Sequence, residues 1–331
     1  MTTSYLSDHP KVNGIDIHHH FLPPVFVDGL TQAGHPTAAQ AAALAWSPKK
    51  SLAMMDEIGI ETAMLSLSLP GVSFSGAADP ATLARQCNKY SAGLIADYPG
   101  RFGAFASLPM LDPEAAMGEI TYALDVLKLD GVQLLSNIRG KYLGDADFGP
   151  ILADLNRRRA IVFLHPNHPP GHGYNDFVEF PHDVSRAMAS LTESGAVERY
   201  PRIRYILAYG GGTIPFIAAR ITVVGMDVLG SFLKTMISYL RRARTMRRMR
   251  YDLTAATDRY TLQALTGHAK PARILMGSNF PWTPFPAFVR QQEALRTNGK
   301  LNLADIEAIE RGNAFKLFSS VQIHAAEALE V

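Results

Sequence analysis

The sequence predicts an α/β fold, a closed (β/α)8 barrel of the TIM type. Short runs rich in β-branched and aromatic residues recur along the 331 residues and alternate with segments of helical periodicity. This alternation is typical of a parallel sheet with right-handed crossovers. Eight repeats favour a sheet that closes on itself, because such a barrel usually takes about 250 residues or more.

The predicted strands are nearly continuous apolar runs, as in strands covered on both faces. They span Gly14–His18, Thr62–Ser68, Phe102–Leu108, Gly131–Ser136, Ala160–His165, Ile203–Tyr209, Met249–Leu253 and Arg273–Ser278. The helical patterns between them span Pro48–Ile58, Ala81–Tyr98, Pro113–Leu127, Phe148–Arg158, Val184–Ser194 and Asp258–Thr266. The carboxyl ends of the strands meet at one face of such a barrel, and that face carries the active site.

We predict a single barrel domain over residues 1–331, with insertions near 22–50 and 223–250. The formal net charge of +2 argues against a nucleic-acid partner, despite six arginines between residues 241 and 250. The single cysteine, Cys87, excludes an internal disulfide and a zinc cage of thiolates. No apolar run reaches membrane-spanning length and the first residues lack the pattern of a signal peptide. We therefore expect a cytoplasmic protein with no membrane partner.

Polar side chains at the ends of the predicted strands carry the candidate chemistry. His18 and His20 share one face of the first strand, because side chains alternate along a strand. His165 ends the fifth predicted strand, and two or three imidazoles at one barrel face can hold a divalent metal. Asp252, near the end of the seventh, is a candidate to support a metal ligand from behind.

Five further residues follow predicted strands and are candidates for substrate binding: Phe21, Ser136, Arg139, His168 and Trp282. Arg139 suits a substrate carboxylate, because a guanidinium pairs with it through two hydrogen bonds. Phe21 and Trp282 suit a planar substrate, on which an aromatic ring can stack. Ordinary packing or a solvent-exposed position is the alternative interpretation for each. His19 lies on the opposite face from His18, so we expect a core histidine whose ring is hydrogen-bonded.

Several stretches of the chain resemble the decarboxylase branch of the amidohydrolase superfamily, which includes aminocarboxymuconate semialdehyde decarboxylase and 6-methylsalicylate decarboxylase. The resemblance runs from Ile15 to about Phe318. It rests on IDIHHH at 15–20, MDEIGI at 55–60, RFG at 101–103, GVQL at 131–134, FLHP at 163–166, GGG at 210–212 followed by Pro215, and GSNFP at 277–281. It implies an amidohydrolase-like barrel that assembles as a homodimer.

The family pattern combines the HxH pair, a histidine after strand five, a histidine after strand six and an aspartate after strand eight. His18, His20 and His165 match the first three positions, so the resemblance implies that they bind a divalent metal, Zn or Mn. Tyr209 stands in place of the strand-six histidine and Asn279 in place of the aspartate. An amide is neutral and does not exchange a proton near pH 7, and tyrosine is a poor base there. We expect Asn279 to be a weak fourth ligand or a hydrogen-bonding residue, and Tyr209 a proton donor or substrate anchor.

The leading hypothesis is metal-assisted, non-oxidative decarboxylation of a small aromatic or unsaturated carboxylic acid. The proton for the substrate carbon would come from Tyr209, a water molecule or a histidine such as His168. Amide or ester hydrolysis is the weaker hypothesis, because no aspartate is present to activate water. Two alternatives stay open: a barrel that holds little metal and catalyses isomerisation, hydration or cyclisation, and a non-catalytic subunit.

Overall fold

A computed structural model describes residues 13–171, 175–224 and 232–321 of the chain. Eight strands form one sheet in which each strand pairs in parallel with the next along the chain. This confirms the predicted barrel, with a strand at each of the eight predicted places. The strands are β1 Gly14–Phe21, β2 Ile60–Leu67, β3 Phe102–Ala106, β4 Gly131–Leu135, β5 Ile161–His165, β6 Arg204–Leu207, β7 Arg250–Asp252 and β8 Ile274–Leu275.

Backbone hydrogen bonds across the seam between β8 and β1 bring the sheet close to closure. The amide of Ile17 donates to the carbonyl of Met276 at 3.0 Å, and the amide of Asn279 donates to the carbonyl of His18 at 2.7 Å. His19 and Phe280 form an isolated parallel bridge beyond them. β8 is shorter than predicted and ends at Leu275, although these contacts continue along the chain after it.

Helices surround the strands and cover their outer faces. Their bounds are α1 Pro24–Gln32, α2 Ala38–Leu44, α3 Pro48–Ile58, α4 Pro80–Asp97, α5 Pro113–Thr121, α6 Gly149–Arg158, α7 Asp176–Glu193, α8 Ala196–Arg199, α9 Ile214–Thr222, α10 Phe232–Arg248, α11 Arg259–His268, α12 Phe285–Thr297, α13 Leu303–Glu307 and α14 Asn313–Phe315. Within the described parts of the chain, no helix is both long and apolar enough to cross a bilayer.

Two helices differ from their predicted bounds. The predicted helix Val184–Ser194 begins earlier, as α7, because the side chain of Asn175 accepts a hydrogen bond from the amide of Phe177 and caps the first turn. The predicted helix Pro113–Leu127 is α5 followed by a π-helical turn over Tyr122–Val126.

The two predicted insertions fall in different parts of the barrel. The segment near 22–50 contains α1 and α2 and leads into α3. The segment near 223–250 contains α10, while residues 225–231 lie outside the described residues. That one domain extends over all 331 residues stays a prediction.

Candidate metal centre at the barrel mouth

Three imidazoles converge at the carboxyl ends of β1 and β5. His18 and His20 project from the same face of β1, as alternation along the strand requires, and His165 ends β5. One ring nitrogen from each histidine lies within 4.8 Å of the other two, and all three residues are buried. The two Nε2 atoms of His18 and His20 are 3.1 Å apart. The structure thus brings together the three histidines that the sequence predicts as ligands.

Each of these rings is held by a hydrogen bond at its other nitrogen. A proton on Nδ1 that is donated to an oxygen leaves Nε2 as the lone-pair nitrogen, which is the form that binds a metal. The three oxygens belong to one buried carboxylate and two backbone carbonyls: Asp252 Oδ2 at 2.6 Å from His18 Nδ1, Ser66 O at 3.3 Å from His20 Nδ1, and Pro166 O at 2.8 Å from His165 Nδ1.

The donor atoms of the histidine cluster and the protonation state of its rings both suit a divalent cation. Among the described residues, the buried Nε2 of His165 has no hydrogen-bond partner. A cation between the three Nε2 atoms would satisfy it and would separate the facing lone pairs of His18 and His20. Burial lowers the pKa of His20, and the neighbouring His165 and His18 lower it further. Burial and His18 likewise lower the pKa of His165, so both rings are neutral near pH 7 and ready to ligate.

Asp252, at the end of β7, supports the cluster by a hydrogen bond to the ring nitrogen of His18 that faces away from the other two histidines. One carboxylate oxygen accepts from His18, and the other accepts from the backbone amides of Tyr209 at 2.9 Å and Thr254 at 3.0 Å. The residue is fully buried. It places a carboxylate next to the three imidazoles, and its hydrogen bonds to Tyr209 and Thr254 fix the loops that follow β6 and β7.

Tyr209 and Asn279, which stand where the family has its histidine and aspartate, both lie at the barrel mouth. The ring centroid of Tyr209 is 5.5 Å from that of His18 and 6.4 Å from that of His165. Burial raises the pKa of its phenol, and the charges of Asp252 and Asp176 add to this effect, so the hydroxyl keeps its proton near pH 7.

Both residues have a left-handed backbone, with φ 54° at Tyr209 and φ 58° at Asn279. Asparagine adopts this conformation more readily than most residues. Asn279 is half-buried, and its amide hydrogen bond to the carbonyl of His18 ties it to β1. Tyr209 is held in the same conformation by the hydrogen bond from its amide to Asp252.

The structure does not bring Phe21 to the histidine cluster. β1 continues to Phe21, which puts this ring on the opposite face of the strand from His18 and His20. Phe21 stacks on Tyr90 with 6.4 Å between centroids and packs edge-on against Trp46.

His19 lies on that outer face as well, and its ring hydrogen-bonds to Asp16 at 3.0 Å and to Ser51 at 3.0 Å. It is the hydrogen-bonded core histidine that the alternation predicts. The outer face of β1 is therefore filled by packing and by internal hydrogen bonds.

The other predicted binding residues surround the mouth at varying distance from the histidines. The indole of Trp282 donates to Ser68 Oγ at 2.8 Å, just past the end of β2. The ring of His168 lies 3.1 Å from the carboxylate of Asp176. Ser136 donates to the buried carboxylate of Asp183 and accepts from the amide of Asn167 in the loop after β5, so both hydrogen bonds of its hydroxyl are made within the protein.

A cavity of about 410 Å³ opens beside the cluster, on the side of β3 and β4. Arg139 and His168 line it, as does Gln133 of β4. The guanidinium of Arg139 donates to the carbonyls of Ser73 at 3.2 Å and Phe74 at 2.8 Å. Gln133 was not among the predicted site residues, although a lone polar residue within the apolar run GVQLL is a visible signal for one.

The chain is similar to known proteins over most of its length. A family model described as Amidohydrolase matches residues 15–319. The chain is 36% identical to the decarboxylase yanB of Aspergillus niger, over 94% of this chain and 89% of that protein. It is 34% identical to the 6-methylsalicylic acid decarboxylase acuB of Aspergillus aculeatus, over 92% of this chain and 95% of that protein. A crystal structure of a dihydroxybenzoic acid decarboxylase from Polaromonas sp. JS666, with bound manganese and 2-nitroresorcinol, has a TM-score of 0.76 at 23% identity and covers 92% of this chain and 96% of that chain.

Proposed function

The chain belongs to the amidohydrolase family, in its decarboxylase branch of carbon–carbon lyases, and from this premise we propose that it removes CO2 from a small 2-hydroxybenzoate of the 6-methylsalicylate type. The observation that carries the proposal is the convergence of three buried histidine nitrogens in a chain 34% identical to a 6-methylsalicylic acid decarboxylase. An unsaturated, non-aromatic acid is the broader substrate class that the same chemistry would serve.

We propose that His18, His20 and His165 hold a divalent ion and that Asn279 is a weak fourth ligand. Manganese is the first ion to test, because a structurally similar decarboxylase was solved with it. Zinc is the second, because imidazole nitrogens suit it well. When bound, the ion supplies Lewis-acid chemistry to an oxygen of the substrate.

The chain's own residues would orient the acid and admit one proton. Decarboxylation replaces the carboxyl group by hydrogen, so a benzoate and one proton give an arene and CO2. Tyr209 is proposed to anchor the substrate by donating a hydrogen bond from its hydroxyl, since its ring packs against His18 and the hydroxyl keeps its proton. Tyr209→Phe then raises KM by about tenfold, the effect of one lost hydrogen bond, and leaves kcat little changed. A fall in kcat of more than about 100-fold at constant KM would instead make Tyr209 the proton donor.

The direct test is turnover of 6-methylsalicylate carrying ¹³C in its carboxyl group. Protein stripped with a chelator and reloaded with manganese or zinc is expected to release ¹³CO2 and 3-methylphenol in equal amounts. His165→Ala is expected to abolish both products, whereas the matched variant His182→Ala, which removes an exposed histidine of α7, leaves them unchanged. Protein that binds one equivalent of metal and releases no ¹³CO2 would contradict the proposal.

A second candidate function rests on Tyr209 and Asn279 themselves. If the site now catalyses an isomerisation, hydration or cyclisation of a related acid, restoring the family residues should abolish that activity. The double variant Tyr209→His with Asn279→Asp is expected to keep or gain ¹³CO2 release if the protein is a decarboxylase. A variant that releases ¹³CO2 where the parent releases none would favour the second function.

We also propose a homodimer, which the family resemblance implies. Exposed apolar side chains on α10, including Leu233, Ile237 and Leu240, support an interface on that helix. Light scattering on the eluted protein is expected to give twice the 36.1 kDa of one chain. Leu240→Glu is expected to shift the mass towards one chain, and a wild-type mass of one chain would contradict the proposal.

A further inference from the structure

Three residues that line the cavity beside the histidine cluster each carry a buried polar atom that has no hydrogen-bond partner within the described parts of the chain. The atoms are Ser73 Oγ, Ser107 Oγ and Gln133 Nε2, and all three residues line this one cavity. Their exposed fractions are 8%, 5% and 6%. Proteins rarely leave buried polar groups unpaired, and three around one space indicate a ligand that pairs with them.

The cavity adjoins the metal centre through the inner faces of β4 and β5. Gln133 pairs with Phe163 and Leu135 pairs with His165 in the parallel register, so Gln133 and Leu135 point inward as His165 does. The ring of Phe163 lies 5.0 Å from that of His18. Gln133 therefore lies on the same inner face of the barrel as His165, two residues nearer the amino end of its strand.

Ser107 is held firmly while its hydroxyl is left free. The buried side chain of Asn88 donates to the carbonyl of Ser107 at 2.9 Å and accepts from its amide at 2.8 Å. Asn88 in turn donates to Glu119 of α5 at 2.8 Å. These hydrogen bonds from the helical layer hold the backbone of Ser107 in place. A residue that recognises a ligand is preorganised by supporting hydrogen bonds of this kind.

The chemistry of the three groups defines the ligand. A glutamine Nε2 donates, and a serine hydroxyl donates or accepts, so together they match a phenolic hydroxyl or a carbonyl. None of the three carries a charge, and a carboxylate buried among them would lack a countercharge. The guanidinium of Arg139 lies at the rim of the cavity and already donates to two backbone carbonyls.

We infer that Gln133, Ser107 and Ser73 select an aromatic acid that carries a second, neutral oxygen substituent on the part of the ring remote from its carboxylate. The inference rests on the proposed function, since it assumes that the carboxylate faces the histidines. The three residues thereby determine which member of the 2-hydroxybenzoate class the enzyme prefers.

The test compares 6-methylsalicylate with its derivatives that carry one more hydroxyl at ring carbon 3, 4 or 5. Wild-type protein is expected to prefer one derivative over 6-methylsalicylate by at least about tenfold, in calorimetric Kd and in kcat/KM. Gln133→Met and Ser107→Ala are each expected to reduce that preference about tenfold and to leave 6-methylsalicylate within about threefold. Ser319→Ala, which changes an exposed serine outside the cavity, is the matched control and keeps the preference.

Two results would overturn the inference: a wild-type protein that prefers no derivative, or variants that weaken all four acids equally. Because the Kd is measured without turnover, failure of this inference can be distinguished from failure of the proposed function. A preferred derivative whose Kd depends on Gln133, with no CO2 released, supports the inference and rejects decarboxylation. Release of CO2 from 6-methylsalicylate with no preference among derivatives does the reverse.

Discussion

At the scale of single residues, Asp252 is the buried carboxylate that contacts the candidate metal centre. The proposed ligands, three imidazoles and the amide of Asn279, would give a divalent ion no ligand charge, because Asn279 stands where the family has an aspartate. The carboxylate of Asp252 lies one hydrogen bond behind the ligands, through His18 Nδ1 at 2.6 Å. With an ion bound, this carboxylate would supply part of the compensating charge, and by accepting from Nδ1 it favours the ring tautomer whose Nε2 can ligate.

Asp252→Asn is expected to weaken manganese binding by about 10- to 100-fold. The amide removes the negative charge, and its NH2 group can donate to Nδ1, which moves the ring proton of His18 onto Nε2 where the ion binds. Competition against a chromogenic chelator measures the change in Kd. Asp147→Asn, at an exposed position paired with Lys141, is the control with the same change of charge. Equal affinity of wild type and Asp252→Asn would show that the support is unnecessary.

At the scale of elements, the seam between β1 and β8 positions two of the three histidines. Asp16 is fully buried there, and its Oδ1 accepts from the amides of His18 at 3.1 Å and Ser278 at 2.9 Å. Its Oδ2 accepts from Ser278 Oγ at 2.5 Å and from His19 Nδ1 at 3.0 Å. One side chain thus joins the first strand to the last and holds the end of β1 in the conformation that turns His18 inward.

Asp16→Ala is expected to lower the free energy of unfolding by about 3–5 kcal/mol, because it leaves a buried histidine and several donors without their acceptor. Urea unfolding of metal-free protein measures the loss. Asp28→Ala, an exposed change in α1, is the control and stays within about 0.5 kcal/mol. A loss below about 1 kcal/mol for Asp16→Ala would mean that the seam is held by its backbone hydrogen bonds alone.

The elements also show which features a sequence can predict. Apolar runs predict the eight strands because burial on both faces leaves few polar residues in them, and alternation predicts that His18 and His20 share a face. The carbonyls of Ser66 and Pro166 that orient His20 and His165 are not predictable, since any residue supplies a carbonyl. The register of β1 with β2 selects Ser66, and the local turn after β5 selects Pro166. Phe21 was misjudged as a residue beyond the strand end, whereas β1 extends through it and alternation then turns it outward.

At the scale of the whole molecule, the candidate metal centre links distant parts of the chain, since its three histidines come from β1 and β5. An ion that binds the folded protein and not the unfolded chain stabilises the fold by mass action. Cys87 can report that stability, because it is the single cysteine and lies fully buried in α4. Burial raises the pKa of its thiol from 9.0 to about 12.

The raised pKa makes stability depend on alkaline pH with a definite sign. Between pH 9 and 12 the folded state keeps the thiol proton that the unfolded state has lost, so the free energy of unfolding falls as pH rises through this window. The contribution of Cys87 approaches about 1.4 kcal/mol per pH unit at most. Urea unfolding of wild type and Cys87→Ala from pH 8 to 10.5 is expected to show the steeper decline in the wild type. Parallel declines would show that Cys87 ionises without unfolding.

The same thiol tests whether the metal acts on the whole fold. At pH 8 a thiol-specific chromogenic disulfide is expected to react with Cys87 only when the protein opens, since the folded thiol is both buried and protonated. Manganese at about 100 times its Kd then slows the reaction by about 100-fold, because it reduces the unfolded population by that factor. In the double variant His18→Ala with His20→Ala, the reaction rate of Cys87 is expected to be the same with and without manganese. In the exposed-histidine variant His182→Ala, manganese is expected to slow the reaction as it does in the wild type. The wild-type rate could also stay the same with and without manganese while equilibrium dialysis shows that the ion is bound. That result would mean that the reagent reaches Cys87 through a local opening of α4. The metal centre and this helix would then belong to parts of the barrel that unfold separately.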